Sequence, residues 1–208
     1  MSIEGVLQNV TNRWTAAGSH RPFYMGIGGG SASGKSTLAA HMAERLAPLH
    51  VQVVGQDSFF KKPEDMPQYY SQISGQYHPA YNEPDSFRQS EMFGACRALQ
   101  RAECDVVILE GILVLWFEHL RALMDLKLYI DADADERIIR RIRRNMKQVE
   151  DCVSITDYYL ESVRLQHAQY NAPTSAYADW ILPGGIADAD ERTVAVRAIC
   201  RSIERLYS

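Results

Sequence analysis

The residues best suited to chemistry in this chain are Gly29-Gly30-Ser31-Ala32-Ser33-Gly34-Lys35-Ser36. Two glycines with four residues between them, followed at once by a lysine and a hydroxyl, form the spacing of a phosphate-binding loop. Glycine lets the backbone curl so that successive N–H groups face one anion. A helix opening after Gly34 would aim its unpaired N-terminal N–H groups, near Thr37, at the same charge. Gly29 through Thr37 are therefore the expected nucleotide contacts. Lys35 is expected to span the β- and γ-phosphates, and Ser36 to hold Mg²⁺, so ATP and Mg²⁺ are the expected cofactors. No Asn/Thr-Lys-x-Asp string that would read guanine is present.

A phosphate loop alone does not separate a kinase from a hydrolase, and the carboxylates carry more of that decision. Asp57, in Gln56-Asp57-Ser58-Phe59-Phe60, follows an apolar run at Val51–Gly55. In a parallel sheet, ligands bind beyond the carboxyl ends of the strands. A carboxylate there repels an acceptor that already bears phosphate and suits one that offers a hydroxyl, whose proton it can take. The competing role is a turn closed with Ser58. Glu110 ends a second run, Val106-Val107-Ile108-Leu109, and is placed to hold metal-bound water or a substrate hydroxyl, with Gly111 allowing a sharp turn. A structural acid bonded to backbone N–H groups is its alternative. Ser36, Asp57 and Glu110 are the candidate metal-side oxygens.

Asp131-Ala132-Asp133-Ala134-Asp135 precedes Arg137, Arg140, Arg141, Arg143, Arg144 and Lys147. Acids at a helix start and bases beyond it suit the helix dipole. Six basic residues in eleven, in a chain of formal charge −4, exceed that need. A helix over the triphosphate could use Arg140, Arg141 and Arg144 to neutralise the transferred group, with Arg141 assigned to catalysis and the other two to the nucleotide.

The elements that must position these groups alternate. Strands are predicted at 23–28, 51–55, 105–109, 126–130 and 178–182, and helices at 37–46, 86–101, 133–146 and 188–206, after a short N-terminal helix within 1–22. The strands are apolar without polar alternation, as in a parallel sheet covered on both faces. The fold class expected is α/β, doubly wound, in one domain spanning 1–208. Residues 58–84 break the alternation with four prolines and Tyr69, Tyr70, Tyr77 and Tyr81. An irregular stretch of that length reads as an acceptor-binding insertion, or else as a surface loop with a small core of its own. With Asp57 and Glu110, the expected acceptor set comprises Phe59, His78, Tyr81 and Asn82. His167 falls in a polar stretch, and Gly184-Gly185-Ile186 lies where an adenine could rest.

The negative formal charge argues against a general nucleic-acid surface. The longest apolar run, Ile112–Phe117, is too short to span a bilayer, and the N-terminus lacks the order of a signal peptide. Cys96, Cys104, Cys152 and Cys200 show no metal-ligand spacing, which favours reduced thiols and a cytoplasmic setting.

Taken in order, these motifs resemble the uridine kinase family, within the group that includes phosphoribulokinases and nicotinamide riboside kinases. The likeness runs from about residue 23 to residue 206. Besides the loop and Gln56–Phe60 it rests on Pro84-Asp85-Ser86-Phe87, Glu110-Gly111-Ile112-Leu113, Asp131–Asp135 with Arg140-Arg141, Pro173-Thr174 and Tyr177-Ala178-Asp179. The resemblance implies a P-loop NTPase with five parallel strands in order 2-3-1-4-5 and an arginine-bearing helical lid over 133–152. It implies transfer of the ATP γ-phosphate to the 5′-hydroxyl of a nucleoside, uridine or cytidine first, with Asp57 as base. A homo-oligomer is a further implication.

Several positions depart from that family pattern. The pyrimidine-reading hairpin before the third strand is missing, because Arg97–Glu103 leads almost directly into Asp105-Val106. Asn82 stands where an acid would meet the ribose hydroxyls. Lys147-Gln148-Val149-Glu150-Asp151 replaces an Arg-Gly-Arg, and Ser175-Ala176 replaces two lysines. Altered specificity follows, toward nicotinamide riboside or another small sugar or alcohol. A different class, an ATP-binding regulatory protein without catalysis, is the third expectation.

Overall fold

The computed structural model describes residues 2–18, 21–146 and 151–208. The lid positions Lys147–Glu150 lie outside the described residues. At the centre is β1 (Phe23–Gly29), whose seven residues are all buried. It pairs in parallel with β5 (Val106–Glu110) on one side and β6 (Leu126–Asp131) on the other. The outer strands are β2 (Val51–Gly55), beside β5, and β7 (Trp180–Pro183), beside β6. The order β2-β5-β1-β6-β7 is 2-3-1-4-5 when only these five are counted. Register sets the site: Gly55 pairs Glu110, and Glu110 pairs Ile27, so Asp57, Glu110 and the loop after β1 emerge at one edge.

Side chains alternate across this sheet into two cores. Phe23, Met25 and Ile27 face α1 (Ile3–Ala16), α2 (Lys35–Arg45) and α8 (Ala189–Glu204). Trp14 of α1 sits 6.2 Å from the Phe23 ring and 5.6 Å from Tyr207. Tyr24, Val107, Leu109 and Tyr129 face the other core, which takes in Met92 of α3 (Gln89–Ala98) and Leu120 of α4 (Glu118–Arg121). The arginine-rich helix α5 (Ala134–Asn145) follows β6.

Three segments differ from the sequence expectation. The helix predicted from residue 86 begins at Gln89, because Pro84–Ser86 forms its own turn and Phe87 stays extended, buried and stacked 4.6 Å from Phe60. The 58–84 segment is not wholly irregular. It pairs β3 (Gln68–Tyr70) with β4 (Tyr77–Pro79) as an antiparallel hairpin that sets Tyr69 opposite His78. The third is a helix that no periodicity announced. It begins with α6 (Cys152–Tyr158), passes a π-turn at Tyr159–Val163, α7 (Arg164–Gln166), and a second π-turn at His167–Asn171. Its buried residues Ile155, Tyr159, Ser162, Val163 and Gln166 keep a helical spacing, and the second π-turn puts the next at Asn171. Polar residues share this inward face while Val153, Leu160 and Leu165 are exposed, so the sequence shows no clean apolar stripe.

Candidate active site

The phosphate loop takes the shape its sequence requires. Gly34 caps α2 at φ 99°, with open space where a side chain would stand, so its conformation rather than crowding demands glycine. Ala32 is also left-handed, at φ 63°. Together they curl the backbone toward one point, as anion-binding loops do. Lys35 follows, only 7% exposed, with Nζ donating to the Gly30 carbonyl at 2.8 Å. Burial pushes its ammonium pKa down to about 8, against the opposing pull of Glu110 and then Asp57. Ser36 Oγ donates to Glu110 Oε1 at 2.9 Å. Burial raises the Glu110 carboxyl above its usual range, opposed by Lys35 and by the Ser36 hydrogen bond.

Around this loop, buried positive charge outruns its partners. Arg137, 5% exposed, donates from Nε to Ala132 O at 2.9 Å. Its Nη1 is buried without a hydrogen-bond partner among the described residues, as is Ser33 Oγ. The guanidinium lies against Gly30, where an added Cβ would come 2.6 Å from Nη1. Two buried cations and an orphaned hydroxyl around a curled backbone fit an anionic phosphate chain. Sequence reasoning counted Arg137 in the basic helix but missed its place beneath the loop.

Three cavities meet at this point. The central one, about 390 Å³, is lined by Lys35, Ser36, Asp57, Glu110, Arg140 and Arg144, among others. Toward α8 it adjoins a cavity of about 430 Å³, with Gly34, Thr37 and Arg140 common to both. Gly184, Ile186, Arg192 and Val196 line that second space, so the loop after β7 borders a cavity that adjoins the phosphate loop. On the other side lies a cavity of about 570 Å³, which shares Ser31, Asp57, Ile112 and Arg144 with the central one. The three cavities are thus in series, and Asp57 lines the junction of the last two.

Asp57 lies in a 3-10 turn over Gln56–Phe59. The turn-closing role weighed for it belongs to Ser58, whose Oγ donates to Gly55 O at 2.8 Å. Gln56, 2% exposed, accepts from Leu113 N at 2.8 Å and ties this turn to the Glu110 loop. Gly111 stands in a bend after β5, as expected, and also makes room for that tie: a Cβ there would fall 2.3 Å from Gln56 Cβ.

The remaining expected residues divide. His78, Tyr81 and Asn82 line the large cavity. Phe59 does not: it packs with Val54, Met92, Cys96 and Leu109 in the core, and its neighbour Phe60 faces the cavity instead, edge-on to Tyr81 at 5.6 Å. The reason is alternation along the chain, since the buried Gln56 and the half-buried Phe59 take one side of the 3-10 turn. On α5, Arg140 bonds Glu136 Oε2 at 2.5 Å and Gly184 O at 2.8 Å. Arg141 donates to Ser31 Oγ at 3.2 Å and lies 5.1 Å over the Tyr158 ring. His167 is no solvated residue; burial, then the charges of Arg137 and Lys35, push its pKa down to about 4. Among the residues missed were Tyr69, Ser71, Asp157, Tyr158 and Glu161, all lining the large cavity. The tyrosine-rich insertion signalled the first, whereas nothing local marked those on the helix after α5.

Among the described residues no group of three or more His, Cys, Asp or Glu could hold a metal ion, and no helix is long and apolar enough to cross a membrane.

Comparison with known proteins agrees with this geometry. A family model described as "Phosphoribulokinase / Uridine kinase family" matches residues 68–189. The uridine kinase of Oceanobacillus iheyensis is 30% identical over 212 residues, covering 90% of this chain and 97% of that protein. The uridine kinase of Limosilactobacillus reuteri is 35% identical over 184 residues, covering 79% and 84%. Among solved structures, the phosphoribulokinase of Rhodobacter spheroides shares the fold with a TM-score of 0.59 at 13% identity, over 79% of this chain and 70% of that one. With its nucleotide-binding loop and an acceptor cavity beside it, this chain belongs to the phosphoribulokinase/uridine kinase family and is a P-loop kinase acting with ATP on a small hydroxyl-bearing molecule.

Proposed function

We propose that this kinase transfers the γ-phosphoryl group of ATP to the 5′-hydroxyl of a nucleoside, with uridine or cytidine as acceptor. The observation that carries the reading is the position of Asp57, which lines both the phosphate cavity and the 570 Å³ cavity. Asp57 accepts a hydrogen bond from the acceptor hydroxyl and takes its proton as the oxygen bonds the γ-phosphorus and the bond to ADP breaks. The phosphate chain lies on the curled N–H groups of Gly29–Ser36, with Lys35 against the β- and γ-oxygens. Ser36 and Glu110, already hydrogen-bonded at 2.9 Å, would hold Mg²⁺ with Asp57 near, and the ion would supply neutralisation of charge on those oxygens. Arg141 and Arg144 stabilise the charge that spreads over the transferred group, and Arg140 stays with the nucleotide. Tyr81, Asn82 and His78 bind the acceptor. Supporting the nucleoside are the curated uridine kinases at 30% and 35% identity.

A second reading keeps the chemistry and changes the acceptor to nicotinamide riboside or another small sugar or alcohol. It is favoured by the wall of the acceptor cavity. Among the described residues α3 passes through a turn at Leu99–Arg101 toward β5 with no hairpin between, and Asn82 Nδ2 is already bonded to Tyr158 Oη at 3.3 Å.

The test is ADP release with Mg²⁺ATP and a panel of nucleosides, nicotinamide riboside and sugars. Asp57→Asn should retain ATP binding and lose acceptor-dependent turnover by about 10²–10⁴-fold. Unchanged turnover in that variant refutes the role of Asp57, and the acceptor that gives the highest kcat/KM chooses between the two readings.

A further inference from the structure

Two segments far apart in sequence form one wall of the acceptor cavity: the β3–β4 hairpin and the helix that begins with α6. The hairpin has three residues in each strand, too little to stand alone in water. Its outer side does not hold it down either, since Tyr70 and Tyr77 are exposed. What docks it is polar. Ser71, 3% exposed, donates from Oγ to Glu161 Oε2 at 2.5 Å, and the Ile73 amide donates to Glu161 Oε1 at 3.0 Å. The same Ser71 hydroxyl accepts from Ser74 N at 3.0 Å, and Ser74 Oγ lies 2.7 Å from His78 Nε2. A continuous chain therefore runs from Glu161 through Ser71 and Ser74 to an imidazole on the cavity wall. His78 stands 5.8 Å from the Tyr69 ring, which in turn lies 5.9 Å from Tyr158 on the helix.

We propose that Glu161 is a positioning residue for the acceptor: its carboxylate clamps the hairpin turn to the helix and so fixes the Tyr69–His78 wall against which the acceptor rests. The proposal rests on the kinase reading above and adds the device that sets acceptor affinity. Charge-assisted hydrogen bonds are strong and directional, and both oxygens are engaged at once, so the turn is held in position and in rotation. The nucleotide cavities share no residue with this clamp.

The test compares Glu161→Ala, Ser71→Ala and the double variant in steady-state kinetics and in amide hydrogen exchange of the nucleotide-free protein. Glu161→Ala should raise the acceptor KM by about tenfold or more while the ATP KM stays within twofold. Simple loss of folded protein would instead lower kcat and leave both KM values alone. The double variant should fall short of the sum of the two single effects, because the Ser71–Glu161 bond is lost in either one. Amides of residues 71–79 should exchange faster in Glu161→Ala, and those of β1 unchanged. An unchanged acceptor KM, an equal rise in the ATP KM, additive effects in the double variant, or undiminished protection of 71–79 each overturn the clamp. Should the wild-type protein phosphorylate no acceptor, the kinase reading fails, and the exchange data alone still decide whether Glu161 holds the hairpin.

Discussion

Lys35 gives the nucleotide site a pH signature. Its ammonium group is buried under the phosphate loop, and its pKa falls from 10.5 to about 8, a difference of about 3 kcal/mol against the charged form. A triphosphate brought against Nζ favours that charged form, so binding must take up a proton wherever Lys35 was neutral beforehand. Uptake should be near zero at pH 6.5, about one half at pH 8 and about nine tenths at pH 9, with affinity falling roughly tenfold per pH unit above 8. The assay is titration calorimetry with ATP in buffers of differing ionisation enthalpy. Stability runs the other way. Between about pH 8 and 10.5 the unfolded chain carries a proton on Lys35 that the folded chain lacks, so this group's contribution to stability rises with pH across that window, by up to about 3 kcal/mol. Raising pH from 7.5 to 9.5 should thus weaken nucleotide binding while relieving a strain in the nucleotide-free protein. Proton uptake that stays at zero from pH 7 to 9.5 refutes the reasoning, because Lys35 is then charged throughout or does not meet phosphate. Lys35→Met should abolish the pH-dependent uptake.

Two further substitutions separate crowding from conformation in the phosphate loop, and a third tests its support. Gly30→Ala places a methyl group 2.6 Å from Arg137 Nη1, with the guanidinium too buried to swing clear, so ATP affinity should drop at least about tenfold by calorimetry. Gly34→Ala meets nothing within 4 Å and suffers only from φ 99°, so it should lose roughly 1–2 kcal/mol in urea unfolding. Asn171→Ala removes a donor to Gly29 O at 3.0 Å and to Ile112 O, and strands the buried Tyr129 hydroxyl that Asn171 Oδ1 accepts from at 2.9 Å. It should destabilise by about 2–3 kcal/mol in the same assay.

The sheet was legible because a buried parallel strand is written locally: each of the five runs is short, apolar and followed by a turn, and each strand forms within two residues of its expected place. The phosphate loop was legible for the same reason, since its function is carried by consecutive backbone N–H groups. The acceptor side was only half legible. Tyr81, Asn82 and His78 reach the cavity as expected because the insertion as a whole faces it. The choice between Phe59 and Phe60 depends on the phase of one 3-10 turn, which adjacent aromatics cannot reveal. Tyr158, Glu161 and Asn171 were invisible because the inward face of their helix mixes polar Ser162, Gln166 and Asn171 with its apolar residues while Val153, Leu160 and Leu165 lie exposed, so no apolar stripe announced it. Their partners at Ser71, Tyr81 and Gly29 lie between 77 and 142 residues away.

That asymmetry has a physical origin that bears on specificity. The nucleotide half of the site is made of one strand, one loop and one helix joined in sequence, so a substitution there disturbs an arrangement that has few alternatives. The acceptor half is assembled from the hairpin and the helix after α5, which are held together by hydrogen bonds that Tyr158, Glu161 and Gln166 accept from the insertion. Each such tie can be lost or replaced without touching the phosphate loop. A family built this way can keep γ-phosphoryl transfer constant while the acceptor varies. The departures of this chain follow that division, with Gly29–Ser36, Asp57 and Glu110 retained and the residues around Asn82 and the missing hairpin changed. Its acceptor is therefore to be sought by the chemistry of the Tyr69–His78–Tyr158 wall, and its mechanism by the carboxylate at the cavity junction.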